Sequence, residues 1–237
     1  MGILICILLL VLGLLSVYYL ANKSEAVSSN FVEYDLKDTD SIKDYKLEEL
    51  KEFNNGLNVI VNYDNNNFKY LEGKYTDRVI NNDEDIIYSL YNIKSIMGTT
   101  NPAKEFQFVS KEAVGKEYVY KFKQINNGRS VIGNEIIVSV KDNNPYNIVG
   151  RYTPIDDSRI KYSVNINEAL NIVQKQSSGM GNNYKYEKVI YIYNDGSYSG
   201  AWSIEINNKF DKTKDKVVYI NAETGKIIKE IPLYNTK

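Results

Sequence analysis

EYVYKFKQINNGRSVIGNEIIVSVK, residues 117–141, is the stretch from which the fold can be read. Tyr118, Tyr120 and Phe122 alternate with Val119, Lys121 and Lys123, the period of two that places an apolar row on one face of a strand. Ile136, Val138 and Val140 repeat that row against Glu135, Ile137, Ser139 and Lys141. Between the runs stands Asn126-Asn127-Gly128-Arg129. Asn-Gly favours a tight hairpin turn, because both residues tolerate positive φ. The spacing predicts a β-hairpin at the centre of an antiparallel sheet.

The flanking sequence supplies partners for it. LNVIVNYD and NFKYLEGKY, residues 57–64 and 67–75, read as a second hairpin across Asn65-Asn66. DEDIIYSLYNIKSIMG, residues 83–98, reads as one helix with an acidic first turn and Gly98 as its stop. Ile86, Ile87, Leu90, Met97 and either Tyr91 or Ile93 form its apolar stripe. Upstream, Asp40-Ser41 is expected to cap a short helix carrying Ile42, Tyr45, Leu47 and Leu50, ended by Asn54-Asn55-Gly56. Downstream, residues 146–155 form another strand, with Gly150 at a bulge or a close approach. Asn165 and Glu168 have the spacing of a capping box at the start of an amphipathic helix running to Gln176. Residues 188–193 and 201–207 pair across Asn194-Asp195-Gly196, with Trp202, Ile204 and Ile206 on one face. Residues 216–221 and 225–231 pair across Ala222-Glu223-Thr224-Gly225.

Composition removes whole classes of chemistry. The 237 residues include no His, which excludes His-Glu-x-x-His zinc catalysis and nucleophiles activated by an imidazole. The one Cys, Cys6, cannot form an intrachain disulfide. A net charge of −1 gives no strong field that would steer the chain to nucleic acid or to an anionic membrane surface, and the tyrosines at 184, 186, 191, 193 and 198 read as packing residues. Asp64-Asn65-Asn66-Asn67, the run 81–85 and Asp142-Asn143-Asn144 are oxygen-rich, but none has the spacing of an EF-hand loop. Turns and helix starts account for them. No catalytic pair, cofactor or metal site is expected.

Gly2 to Ala21 carries no charge and is almost wholly apolar; as a helix it would span roughly 30 Å. It reads as a transmembrane anchor. The alternative is a secretory signal cleaved after Ala26, although hydrophobic cores of signals usually run only about 7–15 residues.

The order Gln124, Asn127-Gly128, Val131, Gly133, Glu135 and a β-branched run resembles the FTP (fungalysin/thermolysin propeptide) region in prosegments of thermolysin-like metallopeptidases. There the chain runs aromatic-x-Gln, an Asn-Gly turn, Pro-Val, an aromatic, Gly-x-Glu and a strand. The closing VVYINAETGKIIKEI, 217–231, resembles a PepSY domain, whose last hairpin carries an Asp/Asn-Ala-x-Thr-Gly turn. In those prosegments PepSY directly follows FTP, so the resemblance covers roughly residues 57–233 and implies an α+β fold. It implies two related modules of antiparallel sheet packed with helices, after an N-terminal hydrophobic helix. The expected division is 1–26 anchor or signal, 27–56 linker and short helix, 57–157 FTP-like, and 158–237 PepSY-like.

Two departures qualify the resemblance. Ser130 stands where the motif has Pro, and the sequence stops at Lys237, where a prosegment would hand over to its peptidase. The resemblance therefore implies a non-catalytic, extracytoplasmic protein that binds, inhibits or helps fold a thermolysin-like metallopeptidase in trans. The alternative is an envelope ligand-binding module with no link to a peptidase. Candidate partner-binding residues are Gln124, Asn127, Gly128, Arg129, Gly133 and Glu135, with Arg129 the foremost because Arg is common at interface hot spots.

Overall fold

The structure is a computed structural model that describes residues 24–26, 34–55, 59–64, 67–176 and 182–233. The first elements in chain order are β1 (Ser24–Ala26), α1 (Leu47–Phe53), β2 (Ile60–Asp64) and β3 (Asn67–Glu72). Then come α2 (Asp83–Leu90), α3 (Lys94–Met97), α4 (Pro102–Glu105) and β4 (Phe106–Val114). The central strands are β5 (Glu117–Asn126), β6 (Arg129–Lys141) and β7 (Asn144–Tyr152). Last come α5 (Ile166–Gln176), β8 (Asn182–Ile192), β9 (Tyr198–Asn208), β10 (Lys216–Asn221) and β11 (Ile227–Pro232). The result is a mixed fold, mostly strands with a few helices. Among the described residues no helix is long and apolar enough to cross a membrane. The expected anchor at 2–21 lies outside them.

The chain forms two compact units. The larger comprises the described residues from 34 to 160 together with 190–198. Its strands lie in the order β2-β3-β7-β6-β5-β4, every pair antiparallel. The predicted hairpin is at its centre: Tyr118, Tyr120 and Phe122 face Val140, Val138 and Ile136 across the β5–β6 ladder. Tyr120, Phe122, Ile136 and Val138 are buried, whereas Tyr118 is exposed near the strand end. Phe106, Tyr152, Phe68 and Leu71 join them from the neighbouring strands, and Ile86, Ile87, Leu90, Ile93 and Met97 come from the helical segment. Residue 150 has to be glycine for two reasons. Its φ is 144°, and a Cβ there would stand 2.0 Å from the Glu135 carbonyl oxygen, so β7 approaches β6 closely at that point.

Two expectations about helices need correction, and one contact explains both. Residues 83–98 do not form a single helix, because a 3-10 turn at Tyr91–Ile93 separates α2 from α3. The upstream helix starts at Leu47, well after Asp40-Ser41, and Ile42 to Lys46 precede it without regular structure. That upstream stretch takes the backbone bonds at the break. The Tyr45 N–H donates to the Asn92 carbonyl (2.7 Å), Asn92 Nδ2 donates to the Lys43 carbonyl (2.8 Å), and Asp44 accepts from Ser95 N (3.2 Å). A tertiary partner thus overrides the local 3.6-residue period. The oxygen-rich runs serve the backbone as expected: Asn82 caps α2 through Asp85 N, and Asp142 and Asn143 both take positive φ in a turn.

The smaller unit comprises, of the described residues, 24–26, 161–176, 182–189 and 199–233. β10 pairs antiparallel with both β9 and β11, β9 neighbours β8, and β1 pairs with β8 in parallel. The capping box of α5 is complete: Asn165 N donates to Glu168 Oε2 (2.9 Å) and Glu168 N to Asn165 Oδ1 (3.0 Å). Ala169, Leu170 and Val173 of α5 pack on Trp202, Ile204, Ile206, Val218 and Ile220. Trp202 donates its indole N–H to the Val164 carbonyl at 2.8 Å, and Tyr162 and Tyr186 contact its ring edge-on. In the closing turn Asn221 Oδ1 accepts from Glu223 N and Thr224 N, and Gly225 takes a φ of 73°.

Candidate functional site

The six sequence candidates lie along the β5–β6 hairpin of the larger unit, but the structure sorts them into three groups. Gln124 points inward and is 1% exposed. Its Nε2 donates to the Thr153 carbonyl (2.7 Å) and its Oε1 accepts from Thr153 N (3.1 Å). The amide of the buried Asn134 lies 2.8 Å from the same oxygen. A buried amide needs such partners, since leaving it unsatisfied costs about 1–3 kcal/mol. Gln124 therefore braces β5 against β6 and the chain leaving β7. Gly133 is also structural: its φ of 99° is a conformation that residues with a Cβ rarely adopt.

The turn itself forms the second group. Asn127 and Gly128 have φ of 47° and 70°, the left-handed pair that the Asn-Gly signal requires. Asp157, in the 3-10 turn Asp157–Arg159, reaches across to it. One carboxylate oxygen accepts from Asn126 Nδ2 (2.9 Å) and from the Arg129 guanidinium, and the other accepts from Asn127 Nδ2 (3.2 Å). Arg129 Nε also donates to the Asn126 carbonyl at 3.3 Å, and its side chain is only 18% exposed. The Arg129 guanidinium is therefore held against the molecule by a counter-charge. The 3-10 turn is fixed in its own right: Asp156 accepts from the Ser158 hydroxyl and backbone N–H, which holds its carboxyl below the usual range.

Glu135 stands alone in the third group, exposed and paired with Lys121 Nζ at 2.7 Å. The hairpin thus brings Asn127 and Arg129 together on Asp157, and places Gln124, Gly133 and Glu135 elsewhere. Asp157, Asn134 and Thr153 escape sequence reasoning. Asp157 is 28 residues from Arg129 in the chain, and no local pattern links the two.

Chemically the arrangement is closed. Asp157 is occupied by one cation and two amides. The buried Glu105–Tyr152 contact is likewise closed: Glu105 also accepts from Thr99 Oγ1 (2.6 Å) and Thr100 Oγ1 (2.7 Å), while burial and then this carboxylate push the Tyr152 phenol up. Among the described residues no group of three or more His, Cys, Asp or Glu is placed to hold a metal ion. A shallow polar depression lined by Asp64, Asn67, Arg151, Thr153 and Asn194 among others is too small to enclose a small molecule.

With both units described, likeness to known proteins can be placed on them. Residues 163–231 match the PepSY family model, described as "Peptidase propeptide and YPEB domain". That segment is a PepSY domain. Its extent takes in α5 and the strands through β11, and its closing turn is the Asn221–Gly225 motif. No curated protein matches the chain. Among solved structures, the Bacillus megaterium YpeB C-terminal domain is similar, with 11% identity and a TM-score of 0.38 over 81% of this chain and 100% of that one.

Proposed function

We propose that this chain is a non-catalytic, propeptide-like protein that binds a thermolysin-like metallopeptidase in trans and either restrains it or assists its folding. The observation carrying this reading is the PepSY domain at 163–231, whose family description names peptidase propeptides. The FTP-like pattern of the hairpin precedes it in the order that such prosegments use. The body lies outside the cytoplasm and residues 2–21 hold it to the membrane. The contact surface is the outer side of the hairpin: Asn127 and Gly128 at its tip and Glu135 on its exposed face, with Arg129, held on Asp157, reaching a partner by exchanging that carboxylate for one of the partner's. Gln124 supports that surface from within, and Gly133 sets the backbone course of β6 beside it.

Binding between separate chains carries an association cost of several kcal/mol that a covalent prosegment avoids, so the complex is micromolar or weaker in solution. The full chain, in detergent micelles, is to be titrated into a thermolysin-like peptidase from the same source, with peptide hydrolysis and refolding yield as readouts. Inhibition or improved refolding is expected. No binding, no inhibition and no help in refolding at high micromolar concentration would refute the peptidase reading. Inhibition unaltered by Arg129→Ala would keep the function and remove that residue from the contact.

A further inference from the structure

One loop of the smaller unit was not singled out by any motif. Residues 209–215 join β9 to β10, and Phe210 within them is 77% exposed, the highest value among the exposed large hydrophobic residues described. The loop is not loose. Asn208, 4% exposed, accepts from Phe210 N (2.9 Å) and Asp211 N (2.8 Å) through Oδ1. Its own N–H donates to Asp215 Oδ1 (2.6 Å) and its Nδ2 to Asn182 Oδ1 (2.7 Å). A 3-10 turn at Lys212–Lys214, capped by Asp211, completes the loop. A buried polar residue is thus used to hold a phenyl ring in water, an arrangement that core packing does not account for.

The surroundings identify the surface it fits. Lys209, Lys212, Lys214 and Lys216 outnumber Asp211 and Asp215 in this stretch; Lys212 pairs with Asp215 (3.4 Å), Lys214 with Asp211 (3.4 Å) and Lys216 with Glu230 (2.6 Å), while the Lys212 and Lys214 side chains stay 72% and 64% exposed. Leu233, 44% exposed, adjoins the loop through its N–H to the Asp215 carbonyl (2.9 Å). The same end of the sheet receives the N-terminal chain. β1 runs parallel to β8 with Ser24 opposite Tyr184, two residues from the Asn182 that holds Asn208. Ser24 follows the apolar run ending at Ala21 by three residues, a reach of about 10 Å at most. An aromatic and an aliphatic side chain with lysines around them, close to where a bilayer-length apolar segment joins the body, is the composition of an interfacial membrane contact.

We infer that the 209–215 loop, with Phe210 at its tip, rests in the headgroup region of an anionic bilayer, the same bilayer that holds residues 2–21. This rests on reading residues 2–21 as an anchor and is independent of any peptidase. The test uses the full chain with Cys6→Ser and Phe210→Cys, spin-labelled and reconstituted into vesicles of phosphatidylcholine with phosphatidylglycerol. A label at Glu223→Cys, in the turn at the far end of β10, serves as the aqueous reference. At 210 the label should gain accessibility to oxygen and lose accessibility to a polar nickel chelate several-fold relative to 223. Lys212→Glu with Lys214→Glu should abolish the difference. Equal, water-like accessibility at both sites in a protein that resists carbonate extraction would overturn the loop contact and leave the anchor standing. Extraction by carbonate would overturn both. Equal immersion in pure phosphatidylcholine would overturn the requirement for anionic lipid. Shielding of the label from both agents only after a thermolysin-like peptidase is added would assign the loop to a protein partner, and the proposal would fall.

Discussion

The hairpin tip at 126–129 and the loop at 209–215 are both polar, both carry cations and both close long antiparallel strands, yet their side chains are placed in opposite ways. At the tip a carboxylate from outside the hairpin, Asp157, collects Arg129, Asn126 and Asn127 and draws the cation against the protein. In the loop the polar residue is Asn208, which binds backbone N–H groups and leaves the side chains of Lys209 and Phe210 exposed. At these two turns the anchor that binds main chain leaves Lys209 and Phe210 displayed, whereas the one that binds side chains withdraws Arg129.

The largest effect expected tests whether the displayed loop stands on an independently packed core. Trp202→Ala removes a ring that is 7% exposed, hydrogen-bonded and flanked by Tyr162 and Tyr186, and should cost about 3–5 kcal/mol in urea unfolding of the full chain. A loss below about 1 kcal/mol would show that the indole is not part of that core.

Asn208→Ala comes next. It orphans two backbone N–H groups and the Asn182 side-chain oxygen, so about 1–3 kcal/mol is expected, with faster tryptic cleavage at Lys209 and Lys212. Unchanged cleavage would mean that the loop holds its form without its anchor, and the contrast with the tip would lose its basis.

Asp157→Ala should cost less, about 1 kcal/mol or below, because the ion pair it breaks is partly exposed. Its clearer sign should be cleavage after Arg129, which becomes accessible once released. If Arg129 instead stays resistant, the Nε bond to the Asn126 carbonyl is enough to hold it. The smallest change belongs to Phe210→Ser, within about 0.5 kcal/mol of the parent, as a ring already in water contributes little to folding. A loss of more than about 1 kcal/mol would show that the ring packs on the protein.

Much of the architecture was legible because its signals are local. The Asn127-Gly128 turn pairs Asn126 with Arg129, although a register shift between Lys123 and Ile125 sets it apart from the rest of the β5–β6 ladder; the Asn165/Glu168 spacing fixes the start of α5, and the alternation of Trp202, Ile204 and Ile206 fixes the buried face of β9. What the sequence hid depends on partners distant in the chain. The break between α2 and α3 and the late start of α1 both come from Lys43–Tyr45 binding Asn92 and Ser95, and no window of either segment contains the other. The candidate site shows the same division. Its turn was readable, whereas the counter-ion of Arg129 and the brace of Gln124 come from residues 28 and 29 positions away. Phe210 was missed for another reason: a single apolar residue among lysines has no periodicity to report.

The larger unit is not continuous in sequence, and this bears on the order in which the protein is made. Its residues up to 160 emerge from the ribosome well before 190–198, yet β6 pairs Val131 with Ile190, and Ile192 and Tyr198 pack with them over Ile155 and Ile160. Until that later segment arrives, the cluster around Val131 lacks Ile190, Ile192 and Tyr198, and the start of β6 lacks its parallel neighbour. A nascent chain halted before residue 190 therefore presents an open strand edge, which other chains can pair with. Synthesis of the PepSY domain carries that cover along with it, so the maturation of the first-made half depends on the completion of the second.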